Sequence, residues 1–389
     1  MQDAIQTDRG SLRSVIHVIN GEHYSGAERV QDLLAARLTE FGYEVQFACV
    51  KPGRFAAMRH CHTAAIHNLP MRLRIDLRPA FALARIARQS AASVLHAHTP
   101  RSLIVARLAA MLTHVPLVYH VHSPASDDST RSLQNWVNGT TERLTLSGVD
   151  RLIAVSASLA QRMQAEGIDA ERIATVPNGV PTDGPLSDRP TPHDVWTLGT
   201  VALFRPRKGL EVLLKTLAQL RDQKVAVRLR AVGGFETTDY EQEICRYVDE
   251  LHVGHLIDWV GFTKNVSAEL RKMDLLVLPS LFGEGLPMVV LESMAAGVPV
   301  VSTRVEGVPE AVRNGQEGVL VEPGSAEALR RGIKRVVDEP GLWARLRVQA
   351  YQRHAEQFSD RRMAEQVSAV YDKLLSAPAG EAQRLEAGG

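Results

Sequence analysis

With 389 residues the chain is long for one hydrophobic core and suits two domains of about 180 residues each. Its 45 lysines and arginines stand against 44 aspartates and glutamates, a net charge of +1 that excludes the strongly basic domain of a nucleic-acid binder, so any anionic partner is met locally. Cys49, Cys61 and Cys245 are odd in number and follow no CxxC spacing, which excludes a disulfide framework or cysteine metal site and points to a reducing compartment.

The first residues, MQDAIQTDRGSLR, lack the apolar core of a signal peptide, and no run of about 18 apolar residues marks a membrane span. The expectation is a cytoplasmic protein, soluble or peripheral at the inner face of the membrane. Ser14 to Asn20 (SVIHVIN) reads as a short apolar strand followed by a glycine-bearing loop. Ser25-Gly26-Ala27-Glu28 has the spacing of a capping box, with Ser25 accepting from the N3 amide and Glu28 reaching back. The helix it opens carries Val30, Leu33, Leu34 and Leu38 on one face and leads to a strand from Glu44 to Val50. Further on, Arg72, Arg74, Arg78, Arg85 and Arg88 are interleaved with Leu73, Ile75, Leu77, Phe81, Leu83 and Ile86. That pattern is either a solvated helix face or a basic amphipathic surface that touches anionic lipid.

Apolar strands follow at Val94 to His98, Leu117 to His122 and Leu152 to Ser156. Two of them end in His-x-His pairs, His96 with His98 and His120 with His122. Alternation sends both members of a pair to one side of the sheet, which raises a four-histidine metal site. No Asp or Glu stands close in support, and the expectation is strand-end histidines without a metal. Val176-Pro177-Asn178-Gly179-Val180 reads as an Asn-Gly turn, and the proline- and aspartate-rich stretch Pro181 to Val195 as an interdomain connection.

Thr197 to Phe204 then repeats the opening plan of strand, loop, helix and strand. Its helix carries Leu210, Leu213, Leu214, Leu217 and Leu220, and its second strand runs from Ala226 to Val232. The loop between, Arg205-Pro206-Arg207-Lys208-Gly209, places cations at a helix start, where the dipole disfavours them unless an anion is to be met. After a strand from Leu275 to Pro279 comes FGEGLPMVVLESMAAGVPVV, residues 282–301. Pro287 suits the first helical position and Gly297 the helix end, and Met288, Val289, Val290, Leu291, Met294, Ala295 and Ala296 leave Glu292 as the one charge on a buried helix. Such a carboxylate needs a partner, a proton or a polar ligand. Val298 to Val301 reads as a buried strand, and Glu306-Gly307-Val308-Pro309-Glu310 as a second glycine loop opening a proline-started helix. The alternation of strands and helices predicts an α/β protein of two Rossmann-like, doubly wound parallel-sheet domains, facing across a cleft.

The run PSLFGEGLPMVVLESMAAGVPVVSTRVEGVPEAVRNGQEGVLVEP resembles the donor-binding half of retaining glycosyltransferases of family 4 (glycosyl transferases group 1), which have the GT-B fold. The resemblance implies an acceptor-binding domain over residues 1–185, a donor-binding domain over 186–357, a helix over 358–376 crossing back to the first domain, and a disordered tail over 377–389. It implies transfer of a sugar from a UDP- or GDP-sugar to a hydroxyl of a sugar or lipid-linked acceptor, in cell-surface polysaccharide or glycolipid synthesis. Neither a cofactor nor a catalytic metal is implied.

The same resemblance assigns roles. Glu284 and Glu292 match the family's two glutamates, for sugar and ribose hydroxyls respectively, and Lys208 matches the lysine that neutralises the diphosphate. The accompanying arginine stands five or six residues earlier in relatives, where this chain has Leu203 and Ala202. Arg205 is then the substitute, with Arg207 as the fallback. Gly26 lies beside the sugar and phosphate, His122 holds the transferred sugar, and Gly285, Leu286, Pro287 and Met288 form the donor-binding loop, in which Pro287 removes an amide that glycine supplies in relatives. Two rival readings share the pocket: a nucleotide-sugar epimerase or hydrolase, and a non-catalytic nucleotide-sugar-binding protein.

Overall fold

The computed structural model describes residues 12–376 except 74–75, 124–145, 147 and 183. The apolar runs picked out above become parallel strands. The first sheet comprises β1 (Arg13–Ile19), β2 (Tyr43–Cys49), β3 (Ile66–Asn68), β4 (Val94–Ala97), β5 (Leu117–Val121), β6 (Arg151–Ala154) and β7 (Ile173–Thr175), in the spatial order β3-β2-β1-β4-β5-β6-β7. The second comprises β8 (Trp196–Val201), β9 (Val227–Val232), β10 (Ile257–Gly261), β11 (Leu275–Leu278), β12 (Val300–Thr303) and β13 (Gly318–Val321), in the order β10-β9-β8-β11-β12-β13. Both orders are doubly wound, and each reverses direction beside its first strand, between β1 and β4 and between β8 and β11. Such a reversal is where open α/β sheets place their ligand sites, at the carboxyl ends of the strands.

The chain divides into two compact units. One gathers the residues up to Val155, Ala160–Pro177 and the chain from Asp360 onward; the other gathers Ser156–Leu159 and Asn178–Ser359. In the first, the helix Asp360–Ser376 returns to the helix Gly26–Arg37, where Arg37 Nε donates to Asp360 Oδ2 at 2.8 Å, and to β2, where Tyr43 Oη donates to Asp372 Oδ1 at 2.7 Å. Its Tyr371 is fully buried. In the second unit the helix Leu210–Asp222 turns Leu213, Leu214, Leu217 and Leu220 into a core that also holds Leu198, Leu229, Ile333 and Trp343. Each of these large side chains contributes about 1.5–3 kcal/mol by leaving water.

Local signals resolve as the residue types dictate, with three differences. The capping box at Ser25 forms, and Glu28 Oε2 accepts from the Ser25 amide at 3.2 Å and its hydroxyl at 2.6 Å. Pro287, expected at the first helical position, stands one residue before the helix Met288–Ala295 in extended backbone, because Pro287 O is already accepting from Val290. The loop Arg205–Gly209 does not open a helix directly: Pro206–Lys208 form a 3₁₀ turn, and Gly209 at φ +67° starts the next helix. The second proline-started helix is a single turn, Val308–Ala311, too short to gather a useful dipole.

Candidate functional site

In the second unit, the two chain segments leaving β8 and β11 are zipped together. Leu281 N donates to Arg207 O at 2.8 Å, and a side chain at Gly209 would meet Pro279 O at 2.2 Å, so only glycine lets the turn lie this close. The zipping brings Lys208 to Glu284. The lysine Nζ donates to Glu284 Oε1, which also accepts from Ser280 Oγ at 2.6 Å, and Arg207 Nη1 stands 4.0 Å away. Glu284 is 5% exposed. Burial alone would raise its carboxyl, but Lys208, Ser280 and Arg207 outweigh that and hold it below the usual carboxylate range. Burial likewise pulls Lys208 below the ordinary lysine value, with Glu284 opposing. The result is a desolvated cation and anion at a strand-order switch point, a pair with donors and acceptors suited to a charged, polar ligand.

The other residues expected here lie on the same loops and on the helix that follows. Arg207 is buried and donates through Nη1 to the carbonyls of Phe282 at 3.3 Å and Gly283 at 3.1 Å, so its guanidinium supports the loop. Arg205 pairs with Glu236 at 3.4 Å. Gly285, Leu286 and Pro287 are buried in the loop, and Met288 and Glu292 are buried on the helix that follows, Glu292 at 8% exposure.

Three residues that sequence reasoning did not single out shape this loop. Glu306, a non-glycine residue at φ +26°, accepts the amides of Gly283 and Glu284, both at 3.0 Å, on Oε1 and Oε2. Strained backbone of this kind persists where surrounding structure fixes it, and here it aims a carboxylate into a backbone nest. The second glycine loop therefore delivers an acid to the first. Gly307 then donates to Glu284 O at 3.0 Å, and any Cβ there would sit 1.6 Å from Gly285 O. Asn178 does more than turn the chain: it is 5% exposed, and its Nδ2 donates to Leu286 O at 2.9 Å. Glu306 and Gly307 were visible only as a glycine-bearing loop, and Asn178 only as a turn residue.

In the first unit, Gly26 opens the helix after β1, and His122 follows β5 directly, half-buried. The two His-x-His pairs gather a fifth member, His17 of β1, which is the register partner of His96. His98 links the group: its Nδ1 lies 3.1 Å from His122 Nε2 and its Nε2 lies 3.2 Å from His17 Nδ1. Tyr371 Oη reaches His96 Nδ1 at 2.5 Å and His17 Nε2 at 3.2 Å. Burial, reinforced by His122, lowers His17 to about 3, and burial lowers His122 to about 4. His96, His98 and His120 are lowered as well, first by burial and then by their neighbours, so the cluster is held neutral.

The helix Arg78–Gln89 leaves Leu77 and Phe81 exposed alongside Arg85 and Arg88, with Leu73 exposed ahead of it, while Leu83 faces the core. Arg78 is tied to Asp76 by two side-chain bonds, at 2.9 and 2.8 Å. Arg74 and Ile75 lie outside the described residues, as does the tail over 377–389. Among the described residues no helix is long and apolar enough to cross a membrane.

Comparison with known proteins covers most of the chain. Residues 24–183 match the family Glycosyltransferase Family 4, and residues 187–353 match Glycosyl transferases group 1. A glycosyltransferase assigned to colanic acid biosynthesis, WcaL of Escherichia coli, is 32% identical over 209 residues, 51% of this chain and 50% of its own. The phosphatidyl-myo-inositol mannosyltransferase of Mycobacterium leprae is 30% identical over 239 residues, 60% of this chain and 61% of its own. The chain thus spans about half to three fifths of the length of these curated relatives. Among solved structures, Anabaena Alr3699/HepE in complex with UDP and glucose superposes with a TM-score of 0.82 at 19% identity, covering 93% of this chain and all of the other. Sucrose-phosphate synthase of Thermosynechococcus elongatus does so with a TM-score of 0.80 at 21% identity, covering 94% and 100%. At these identities the likeness is one of fold, and the fold is GT-B.

Proposed function

Because the chain belongs to the group 1 glycosyl transferases of family 4, we propose that it is a retaining glycosyltransferase. It moves a sugar from a UDP- or GDP-sugar to a hydroxyl of a sugar or lipid-linked acceptor, in polysaccharide or glycolipid synthesis. The observation that carries this reading is the buried Lys208–Glu284–Ser280 group at the carboxyl ends of β8 and β11. The HepE complexes with UDP and UDP-glucose support a nucleotide-sugar donor, and WcaL and the mannosyltransferase support the acceptor classes.

In the mechanism, Lys208 and Arg205 neutralise the diphosphate as the glycosyl bond breaks, together with amides of the loop ending at Met288. Glu284 binds sugar hydroxyls, Glu292 grips the ribose, Gly26 lets the backbone approach the phosphate, and His122 holds the transferred sugar. The acceptor attacks on the face from which the phosphate leaves, and that phosphate takes its proton. No metal is required, since stabilisation of the leaving group by fixed charges carries most of the rate. The exposed Leu73, Leu77 and Phe81 with Arg85 and Arg88 serve as a peripheral contact with an anionic membrane surface. Preferential sedimentation with anionic vesicles checks that contact.

The experiment is a thermal-shift panel of UDP-, GDP- and ADP-sugars, followed by assays of the stabilising donor with and without candidate acceptors. Acceptor-dependent product with the anomeric configuration kept, lost in Lys208→Ala and Glu292→Ala, is the expected result. Full activity in both folded variants removes the assignment of the site. Rapid epimerised or hydrolysed product from the donor alone replaces transfer by the corresponding reaction.

A further inference from the structure

We propose that His98, His120 and His122 of the first unit form a binding site for a late first-row divalent cation, zinc foremost. The candidate ligand atoms of these three rings all lie within 4.8 Å of one another. His98 Nδ1 and His122 Nε2 are already 3.1 Å apart. Two nitrogens bound to one tetrahedral zinc at 2.0–2.1 Å are separated by about 3.3 Å, so the spacing of this pair already matches that of two ligands of one ion, which the rings would reach by turning their lone pairs toward it. His120 is 1% exposed, and among the described residues neither of its ring nitrogens has a hydrogen-bond partner. An imidazole left so deep without partners is costly, and a cation coordinated at one nitrogen relieves that cost.

The rings are held in position from behind, as metal-binding histidines are. The far nitrogen of His98 faces His17 Nδ1 at 3.2 Å, and the far nitrogen of His17 faces Tyr371 Oη at 3.2 Å. His120 and His122 are stacked, with centroids 4.4 Å apart and planes 20° from parallel. A second triad, His17, His96 and His98, shares His98 but lies wholly inside, whereas His122 is half-buried and gives an ion a way in. Imidazole ligands alone select zinc, copper, nickel or cobalt over magnesium and calcium, which demand oxygen. Three neutral ligands leave two positive charges uncompensated, so the fourth position takes hydroxide or an anionic oxygen of a bound molecule.

The test uses the full chain stripped with a chelator, then titrated with zinc chloride by calorimetry and with cobalt(II) by visible absorption. The expected result is one ion per chain, a raised Tm with zinc, and the intense bands of four- or five-coordinate cobalt. His122→Asn, at the half-buried position where folding is least at risk, and His120→Gln each weaken binding at least about tenfold. His17→Gln acts on His98 from behind: it keeps the stoichiometry but shifts the cobalt bands and weakens affinity by about 10- to 100-fold. The double variant His60→Ala, His62→Ala binds as the parent does. The proposal is overturned if the parent shows no saturable 1:1 binding or gives only six-coordinate cobalt. It is also overturned if binding survives His122→Asn and disappears in the His60, His62 variant.

Discussion

Lys208 and Glu284 satisfy one another from opposite sides of the β8/β11 reversal, and Ser280 adds a 2.6 Å bond to the same carboxylate oxygen. The lysine is thus stored beside an internal anion. Lys208→Ala removes the only lysine bonded to that carboxylate among the described residues and leaves it buried with reduced compensation. We predict a loss of about 3–5 kcal/mol of stability and a fall in turnover of about 10²- to 10³-fold. Adding Glu284→Gln to a Lys208→Met background recovers most of the stability without recovering turnover. Urea unfolding alongside steady-state assays separates the two effects.

The two arginines of the RPRKG turn are predicted to behave differently. Arg207 spends its Nη1 on the carbonyls of Phe282 and Gly283, so Arg207→Ala lowers Tm by several degrees together with activity. Arg205 makes a 3.4 Å pair with the half-exposed Glu236, so Arg205→Ala lowers Tm by less than Arg207→Ala does and lowers kcat. Equal Tm values for the two variants would contradict this division of labour.

Gly307→Ala is a steric test of the loop that holds Glu284. Its new methyl would stand 1.6 Å from Gly285 O, a separation no relaxation of the methyl can cure, so the backbone of residues 283–286 must move. Nucleotide affinity measured by calorimetry is expected to fall at least about tenfold. Gly324→Ala, where a methyl meets open space but φ is +75°, is the control: it costs some stability through strain and leaves affinity unchanged.

The buried histidines are predicted to lower stability in acid. Their folded values lie below the unfolded value near 6.5, so between the two the unfolded chain binds more protons and stability falls as pH falls. For His122, at about 4 when folded, the window runs from about pH 6.5 down to about pH 4, and stability above it is complete. Within the window each such histidine contributes a slope of about 1.4 kcal/mol per pH unit. Denaturant midpoints of chelator-treated protein at pH 5 and pH 7 check this, and His122→Asn is expected to flatten the difference. A midpoint that rises on acidification would contradict the sign.

Most strands were legible as short apolar runs, and the alternation with helices made the sheets parallel; Ile66–Asn68, Ile173–Thr175, Ile257–Gly261 and Gly318–Val321 were not picked out, being only three to five residues long, and the strand order was not legible at all. Edges moved by one to three residues; β8, for instance, ends at Val201 instead of Phe204, which turns away to pair with Phe235 as an isolated bridge. Lys208 and Glu284 were legible as types at helix and loop starts, but their pairing spans 76 positions and no local spacing encodes it. The role of Glu306 depends on a positive φ that glutamate rarely adopts, which the sequence signals only through the glycine beside it. The distinction between Arg205 and Arg207 was invisible for a related reason, since nothing local says which guanidinium the carbonyls of the next loop will claim. The fifth histidine and the tyrosine over the His-x-His pairs were equally out of reach, because Tyr371 comes 275 residues after His96.

That distance has a consequence during synthesis. The first sheet leaves the ribosome early, yet His96 waits for a hydroxyl encoded 275 codons later, His17 waits for the same group, and Arg37 waits for Asp360. The unit translated first is therefore the one that matures last: a chain made only as far as Ser359 holds every residue of its later neighbour but lacks the helix Asp360–Ser376, so the sheet that begins with β1 still waits for Tyr371 and Asp360.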